Sequence, residues 1–307
     1  MSINRLLSCV FRILYSVFCI SSLLFFLAIS ISTNLFAQEV VEIKDSAINK
    51  INIEYAYPKP QWLGKTFLQD QAHIWTSPLR IKKKDLHYLI PLSLATAIIM
   101  VFDEDINQKT QQFKNNNQWV KNLSPILTDG GEIPVVGGIS AAMYITGLAI
   151  KDDKLMQTGA IAGYALVNAS VVVTVLKMIA GRQRPRVDGT SNWKPFPQTL
   201  EQFNGTSSDY YASFPSGHSI AAWTLATVVA EQYKETKVIP ILMYTFATGV
   251  ALSRTTENAH WLSDAIVGSA LGFGIGKYLA KKHKSTKWFL FPSQSGGSLM
   301  VTGIYRL

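Results

Sequence analysis

Apolar residues in this chain come in long runs parted by polar connections, without the strict alternation that a half-buried strand requires. Six such runs, at 86–102, 133–150, 155–180, 218–232, 238–252 and 260–279, each predict a helix. The connections between them are short, apart from 107–132 and 181–214. The pattern predicts an all-α fold, an up-and-down bundle of six helices. In the last run Gly268, Gly272 and Gly276 recur every four residues, a face that a neighbouring helix can approach closely. Upstream, Trp62, Leu63, Phe67, Leu68, Ala72 and Trp75 share helical spacing. They predict an amphipathic helix, either interfacial with its tryptophans at headgroup depth or packed on the core. Residues 40–60 alternate weakly and then meet Pro58 and Pro60, which reads as a short extended N-terminal arm. Near the C-terminus, 288–291 and 299–307 flank a Ser-Gly-Gly turn and predict a small hairpin.

The first run differs from the others. Arg5 and Arg12 precede an apolar stretch, 13–31, that leads to Ala37. This is the layout of a secretory signal, cleaved after Ala37 or kept as an anchor because Leu35 fits the cleavage rule poorly. The resulting organisation is a signal at 1–37, an arm and amphipathic helix at 38–84, a helical domain at 85–282 and a tail at 283–307. Cys9 and Cys19, the two cysteines, both lie in the leader, so the domain has neither a disulfide nor a thiolate metal site. The formal charge of +9 points to anionic partners. No zinc-finger, helix-turn-helix or aromatic RNA-binding pattern accompanies it, which excludes the common nucleic-acid binders.

Charged and polar residues inside or beside the apolar runs are the candidates for chemistry. Lys177 ends the third run, where it either snorkels to water or binds an anion. Arg184 stands beside Pro185 and between Arg182 and Arg186, which reads as a basic surface loop or as an aimed guanidinium. Ser216 is a good N-cap for the fourth run, and Gly217 lets backbone N–H groups approach a phosphate. His218 follows in the first turn. Arg254 precedes a short connection to His260, and Asp264 lies four residues on, where a helix would put both on one face. A carboxylate there would accept a hydrogen bond from one ring nitrogen and aim the other. Taken singly, each of these is also an ordinary cap or surface residue. Together they fall at one end of an up-and-down bundle. His73, His87 and His283 read as structural or surface residues, Lys82, Lys83 and Lys84 as a solvated run, and Asp103, Glu104 and Asp105 as a solvated helix end.

The order Lys177…Arg184-Pro185, Pro215-Ser216-Gly217-His218, Ser253-Arg254…His260…Asp264 resembles the three-part signature of the type 2 phosphatidic acid phosphatase (PAP2) superfamily. That superfamily includes class A acid phosphatases and vanadium haloperoxidases. The resemblance implies a PAP2-type bundle and a hydrolase working without metal or other cofactor. It implies that His260 is the nucleophile, oriented by Asp264, and that His218 is the proton donor. Lys177, Arg184, Arg254, Ser216 and Gly217 would hold the phosphate. The implied substrate is a lipid phosphate, with a small phosphoester or the haloperoxidase reaction as alternatives.

Location is less direct. With a processed leader and six spanning runs, the third run would end inside, placing the catalytic connections in the cytoplasm. The lysines and arginines of 80–84, 234–237 and 277–287 sit at the opposite face, which the positive-inside rule makes cytoplasmic. A domain that folds in the periplasm without threading the bilayer removes this conflict. The expectation is an exported cell-envelope protein on the periplasmic side, associated with the membrane or embedded in it.

Overall fold

A computed structural model describes residues 60–196, 210–283, 288–295 and 298–305. The leader and extended arm expected at 1–59 lie outside the described residues. Among the described residues ten α-helices and a strand pair follow one another: α1 Pro60–Trp75, α2 Lys83–Val101, α3 Asp103–Asn116, α4 Gln118–Gly130, α5 Ile133–Ile150, α6 Asp153–Ala180, α7 Pro185–Asp188, α8 Gly217–Gln232, α9 Val238–Thr256, α10 Leu262–His283, β1 Trp288–Ser295 and β2 Ser298–Tyr305. The strands pair antiparallel, from Trp288 opposite Tyr305 to Ser295 opposite Ser298. Phe67–Leu307 form one compact unit.

Each of the six apolar runs is a helix, so the fold is all-α as the pattern predicts. The connection expected at 107–132 is instead helical, forming most of α3 and α4. α3 is too polar to form a core-facing stripe and rests on contacts with loops distant in sequence, whereas α4 turns Val120 and Leu127 inward, with Leu127 against Gly249 of α9. The core is built on α8, buried along nearly its whole length. Ile220, Leu225 and Val228 of α8 pack with Ile161, Ala165 and Val172 of α6, Val136 of α5, and Ile275 and Leu279 of α10. The glycine stripe explains how α10 comes so close. A Cβ on Gly268 would lie 2.6 Å from the Ser216 carbonyl oxygen, on Gly272 2.5 Å from that of Ile220, and on Gly276 2.8 Å from that of Thr224. A side chain at any of the three would push the N-terminal end of α8 away from α10.

Among the described residues four helices, α2, α5, α6 and α9, are long and apolar enough to cross a membrane. No residue of α2 is buried, and Tyr88, Ile90, Leu94 and Ile98 are all more than half exposed. Exposed apolar surface on this scale is unfavourable in water, and it marks the protein as membrane-associated. Lys82, Lys83 and Lys84 are exposed, as their sequence suggests.

Candidate active site

The C-terminal ends of α6 and α9 and the N-terminal ends of α8 and α10 meet at one end of the bundle. Lys177 lies in the last turn of α6, which closes on Gly181 at φ +54°, a left-handed value suited to glycine. The chain then turns through Arg182 to Arg184, whose N–H donates to the Tyr210 carbonyl at 2.7 Å. Ser216 caps α8, accepting from the Ser219 N–H, while its own N–H donates to the Asp264 carbonyl at 3.1 Å. Arg254 lies in the last turn of α9, and its carbonyl accepts from the N–H groups of both Ala259 and His260. Asn258, left-handed at φ +54°, makes that tight return. All eight residues singled out from the sequence are thus brought to one place.

His260 is buried and its two ring contacts define its tautomer. Nδ1 lies 2.6 Å from the Ser213 carbonyl oxygen, which can only accept, so Nδ1 carries the proton. Nε2 lies 3.2 Å from Nη1 of Arg184, which can only donate, so Nε2 presents its lone pair. Burial first, and then the positive charges of Arg184, Lys177 and Arg254, hold the imidazole well below its ordinary pKa. The ring is therefore neutral, with an available lone pair in a cationic pocket. Arg184 also donates to the Ala259 carbonyl at 2.9 Å. The buried Nε of Arg254 has no hydrogen-bond partner among the described residues, which leaves a cationic donor for an anion. Lys177 Nζ sits 3.7 Å from where a Cβ on Gly217 would lie, so lysine and helix N-terminus converge. Three cations and the free N–H groups of a helix start suit a phosphate and repel a metal cation. Among the described residues, no cluster of metal-ligating side chains occurs.

The expected hydrogen bond between His260 and Asp264 is absent. The nearest approach, Nδ1 to Oδ2, is 3.9 Å. The spacing argument fails because α10 begins at Leu262, so His260 precedes the helix and the four-residue rule does not apply to it. Asp264 works one step removed. Its Oδ2 accepts from the Ser213 hydroxyl at 2.5 Å and from the Trp261 N–H at 3.1 Å, holding both chain segments that flank the imidazole. Its Oδ1 accepts from Arg182 Nη1 at 2.6 Å.

Arg182 and Asp103 are what the sequence reading missed. Arg182 is fully buried rather than part of a basic surface loop. Besides Asp264 it binds Asp103 Oδ2 at 2.9 Å, the Ser263 hydroxyl at 2.8 Å and the Ser191 hydroxyl at 2.7 Å. Asp103, expected at a solvated helix end, is 1% exposed. It accepts from the N–H of Ser263 at 3.1 Å and from that residue's hydroxyl.

A family model described as the PAP2 superfamily matches residues 158–288. The lipid A 1-phosphatase of Porphyromonas gingivalis is 23% identical over 237 residues, covering 74% of this chain and 46% of that protein. The chain thus spans about half the length of the curated relative it matches. Among solved structures, Aquifex aeolicus LpxE aligns with a TM-score of 0.43 and 18% identity, over 58% of this chain and 93% of that one. The first transmembrane PAP2 type phosphatidylglycerolphosphate phosphatase from Bacillus subtilis aligns at 0.41 and 20% identity, over 64% and 94%.

Proposed function

We propose, on the premise that residues 158–288 belong to the PAP2 superfamily, that this chain is a phosphoric ester hydrolase acting on a lipid phosphate through a phosphohistidine. The observation that carries the reading is the tautomer of His260, a neutral ring whose Nε2 lone pair is set among phosphate-binding cations. Nε2 attacks phosphorus, and the bond from phosphorus to the lipid oxygen breaks as the nitrogen–phosphorus bond forms. His218, in the first turn of α8, gives its proton to the departing oxygen and then takes one from the water that releases phosphate. Lys177, Arg184, Arg254 and the N–H groups after Ser216 hold the equatorial oxygens, where charge accumulates. Asp264 steadies His260 through Ser213 and offsets the positive charge the ring gains.

The lipid is argued from surface, and so is the side. A soluble ester needs no membrane, whereas α2 and the outward faces of α5 and α9 are apolar and exposed. The start of α2 with Lys83 and Lys84, the α5–α6 turn with Lys151, the α8–α9 turn with Lys234 and Lys237, and the end of α10 lie opposite the site. The positive-inside rule makes that end cytoplasmic and the site extracytoplasmic, facing the periplasm. The same reading takes 85–282 as the catalytic domain, has α2, α5, α6, α8, α9 and α10 all run between the two faces, and puts the chain before α2 on the cytoplasmic side in place of the export expected of the leader.

The test is phosphate release in EDTA from phosphatidic acid, undecaprenyl diphosphate and p-nitrophenyl phosphate. His260→Ala is expected to lower release from the lipids by roughly 10,000-fold. Preference for the small ester would favour a non-specific acid phosphatase. Halide oxidation with vanadate and peroxide, in the absence of any phosphate release, would replace the hydrolase reading altogether.

A further inference from the structure

The phosphate-binding and nucleophilic residues of the site lie within 177–264, yet one of its best-buried charges comes from far upstream. Asp103 begins α3, well outside the residues that the family model matches. From there α3 lays a polar face along the site. Glu104 accepts from the Ser191 N–H, Asn107 Nδ2 donates to the Asn258 side chain, Gln111 donates to the Thr255 carbonyl, and Lys114 pairs with Glu257 at 2.8 Å. The positions 103, 107, 111 and 114 share one face of a helix. The partners of Glu104, Asn107, Gln111 and Lys114 lie either in the loop after Arg182 or in the return from Arg254 to His260, and those of Asp103 are Arg182 and Ser263 at the start of α10. The helix thus braces both segments that carry phosphate ligands.

We infer that Asp103 is a positioning residue for the nucleophilic histidine, acting through Arg182 and Asp264. The chain of contacts is continuous. Asp103 holds Nη2 of Arg182, Nη1 of Arg182 holds Asp264 Oδ1, Asp264 Oδ2 holds the Ser213 hydroxyl, and the Ser213 carbonyl holds His260 Nδ1. Ser263 joins the first two links, since its hydroxyl donates to Asp103 and accepts from Arg182. Two carboxylates share one guanidinium, and all three side chains are fully buried. With both carboxylates ionised the triad would carry one net negative charge beside a ring that becomes positive when it is phosphorylated. Stability alone is a poor reason for such an arrangement, because buried ion triads are often no better than apolar packing. Without Asp103, Arg182 is free to turn wholly onto Asp264, which loosens the aim of His260 and cancels the field that favours its phosphorylation.

The inference rests on the phosphohistidine reading, and kinetics separate the two. Asp103→Asn is expected to lower kcat for p-nitrophenyl phosphate roughly tenfold and to leave KM within about twofold, because no phosphate ligand is touched. In an Asp264→Asn background the same change should alter kcat by less than about twofold, since the path is already cut. Effects that multiply in the double variant, or a KM that rises in step with the fall in kcat, would overturn the positioning role. Should Asp103→Asn fail to fold, Ser263→Ala removes the shared link and is held to the same split between kcat and KM. A wild-type chain silent on every phosphoester sinks the hydrolase reading. An active wild type matched by an equally active Asp103→Asn sinks only the inference.

Discussion

Each end of α10 is pinned by a buried carboxylate, and the two are solved in opposite ways. At the catalytic end Asp264 and Asp103 share the single cation of Arg182, with no exposure on any of the three. At the far end Asp70 of α1 has donors in excess. It accepts from Tyr164 at 2.8 Å, Tyr278 at 2.7 Å and Lys282 at 2.5 Å, with His283 Nε2 at 3.2 Å. Burial pushes the Asp70 carboxyl up, but the bonds from His283, Lys282, Tyr278 and Tyr164 outweigh it and hold it below the usual carboxylate range. One network sets a single cation against two carboxylates, which leaves negative charge to act on a neighbour. The other is saturated, and all it does is tie α1 to α6 and α10. A buried charge that is fully answered anchors; one that is under-answered can do chemistry.

The comparison is broken most severely at Arg182. Arg182→Met leaves two carboxylates buried without a cation, and loss of one partner from a buried pair costs about 3–5 kcal/mol. Thermal unfolding should show a large drop in midpoint together with loss of phosphate release. A variant that keeps its midpoint would mean that water reaches these carboxylates, contrary to their burial.

Asp70→Asn should cost less, about 1–3 kcal/mol, the range for hydrogen bonds to a charged group. It should leave kcat for p-nitrophenyl phosphate unchanged. The pH dependence supplies a sign. Because the folded pKa of Asp70 is depressed, its contribution is fully present above the unfolded value of about 3.9 and is lost as pH falls below it. The stability gap between wild type and Asp70→Asn should therefore be flat from pH 7 to 5 and shrink on further acidification. A gap that narrows near neutral pH instead would mean that the effect does not come from the Asp70 carboxylate.

The two networks were unequally legible in the sequence, and for physical reasons. The apolar runs announce α2, α5, α6, α8, α9 and α10 because burial or lipid contact is written directly in composition. The glycine stripe likewise announces that a helix packs closely on α10, though not that the helix is α8. Lys177, Arg184, Arg254, His218 and His260 were findable because their motifs have fixed spacing. Asp103 and Arg182 were not, because a charge in a polar run looks solvated until a partner distant in sequence is placed against it. The same applies to α3, whose helicity depends on loops that follow it by more than 70 residues, as in Ser191 with Glu104. His260 and Asp264 mislead in a smaller way. Their spacing is helical, but the helix starts two residues too late. At the far end, His73 was read as structural or surface, and it lies stacked on Tyr278 with ring centroids 4.2 Å apart. His283 was read in the same way and faces Asp70.

The mildest way to sharpen the comparison is Tyr278→Phe. The ring stays, so the stacking with His73 and the packing against the core are kept, and only the hydroxyl that donates to Asp70 is removed. With Tyr164, Lys282 and His283 still in place the carboxylate stays answered, and the cost should be about 1 kcal/mol, that of one hydrogen bond. Denaturant unfolding at pH 7 would read it as a lower midpoint with an unchanged slope. Phosphate release from p-nitrophenyl phosphate should not change at all, because a saturated network loses one of several donors without leaving a charge to act at a distance. If kcat fell alongside stability, α10 would be transmitting strain from Asp70 to Asp264 along its length. The two ends would then be one network, and the contrast between an anchoring charge and a working one would not hold.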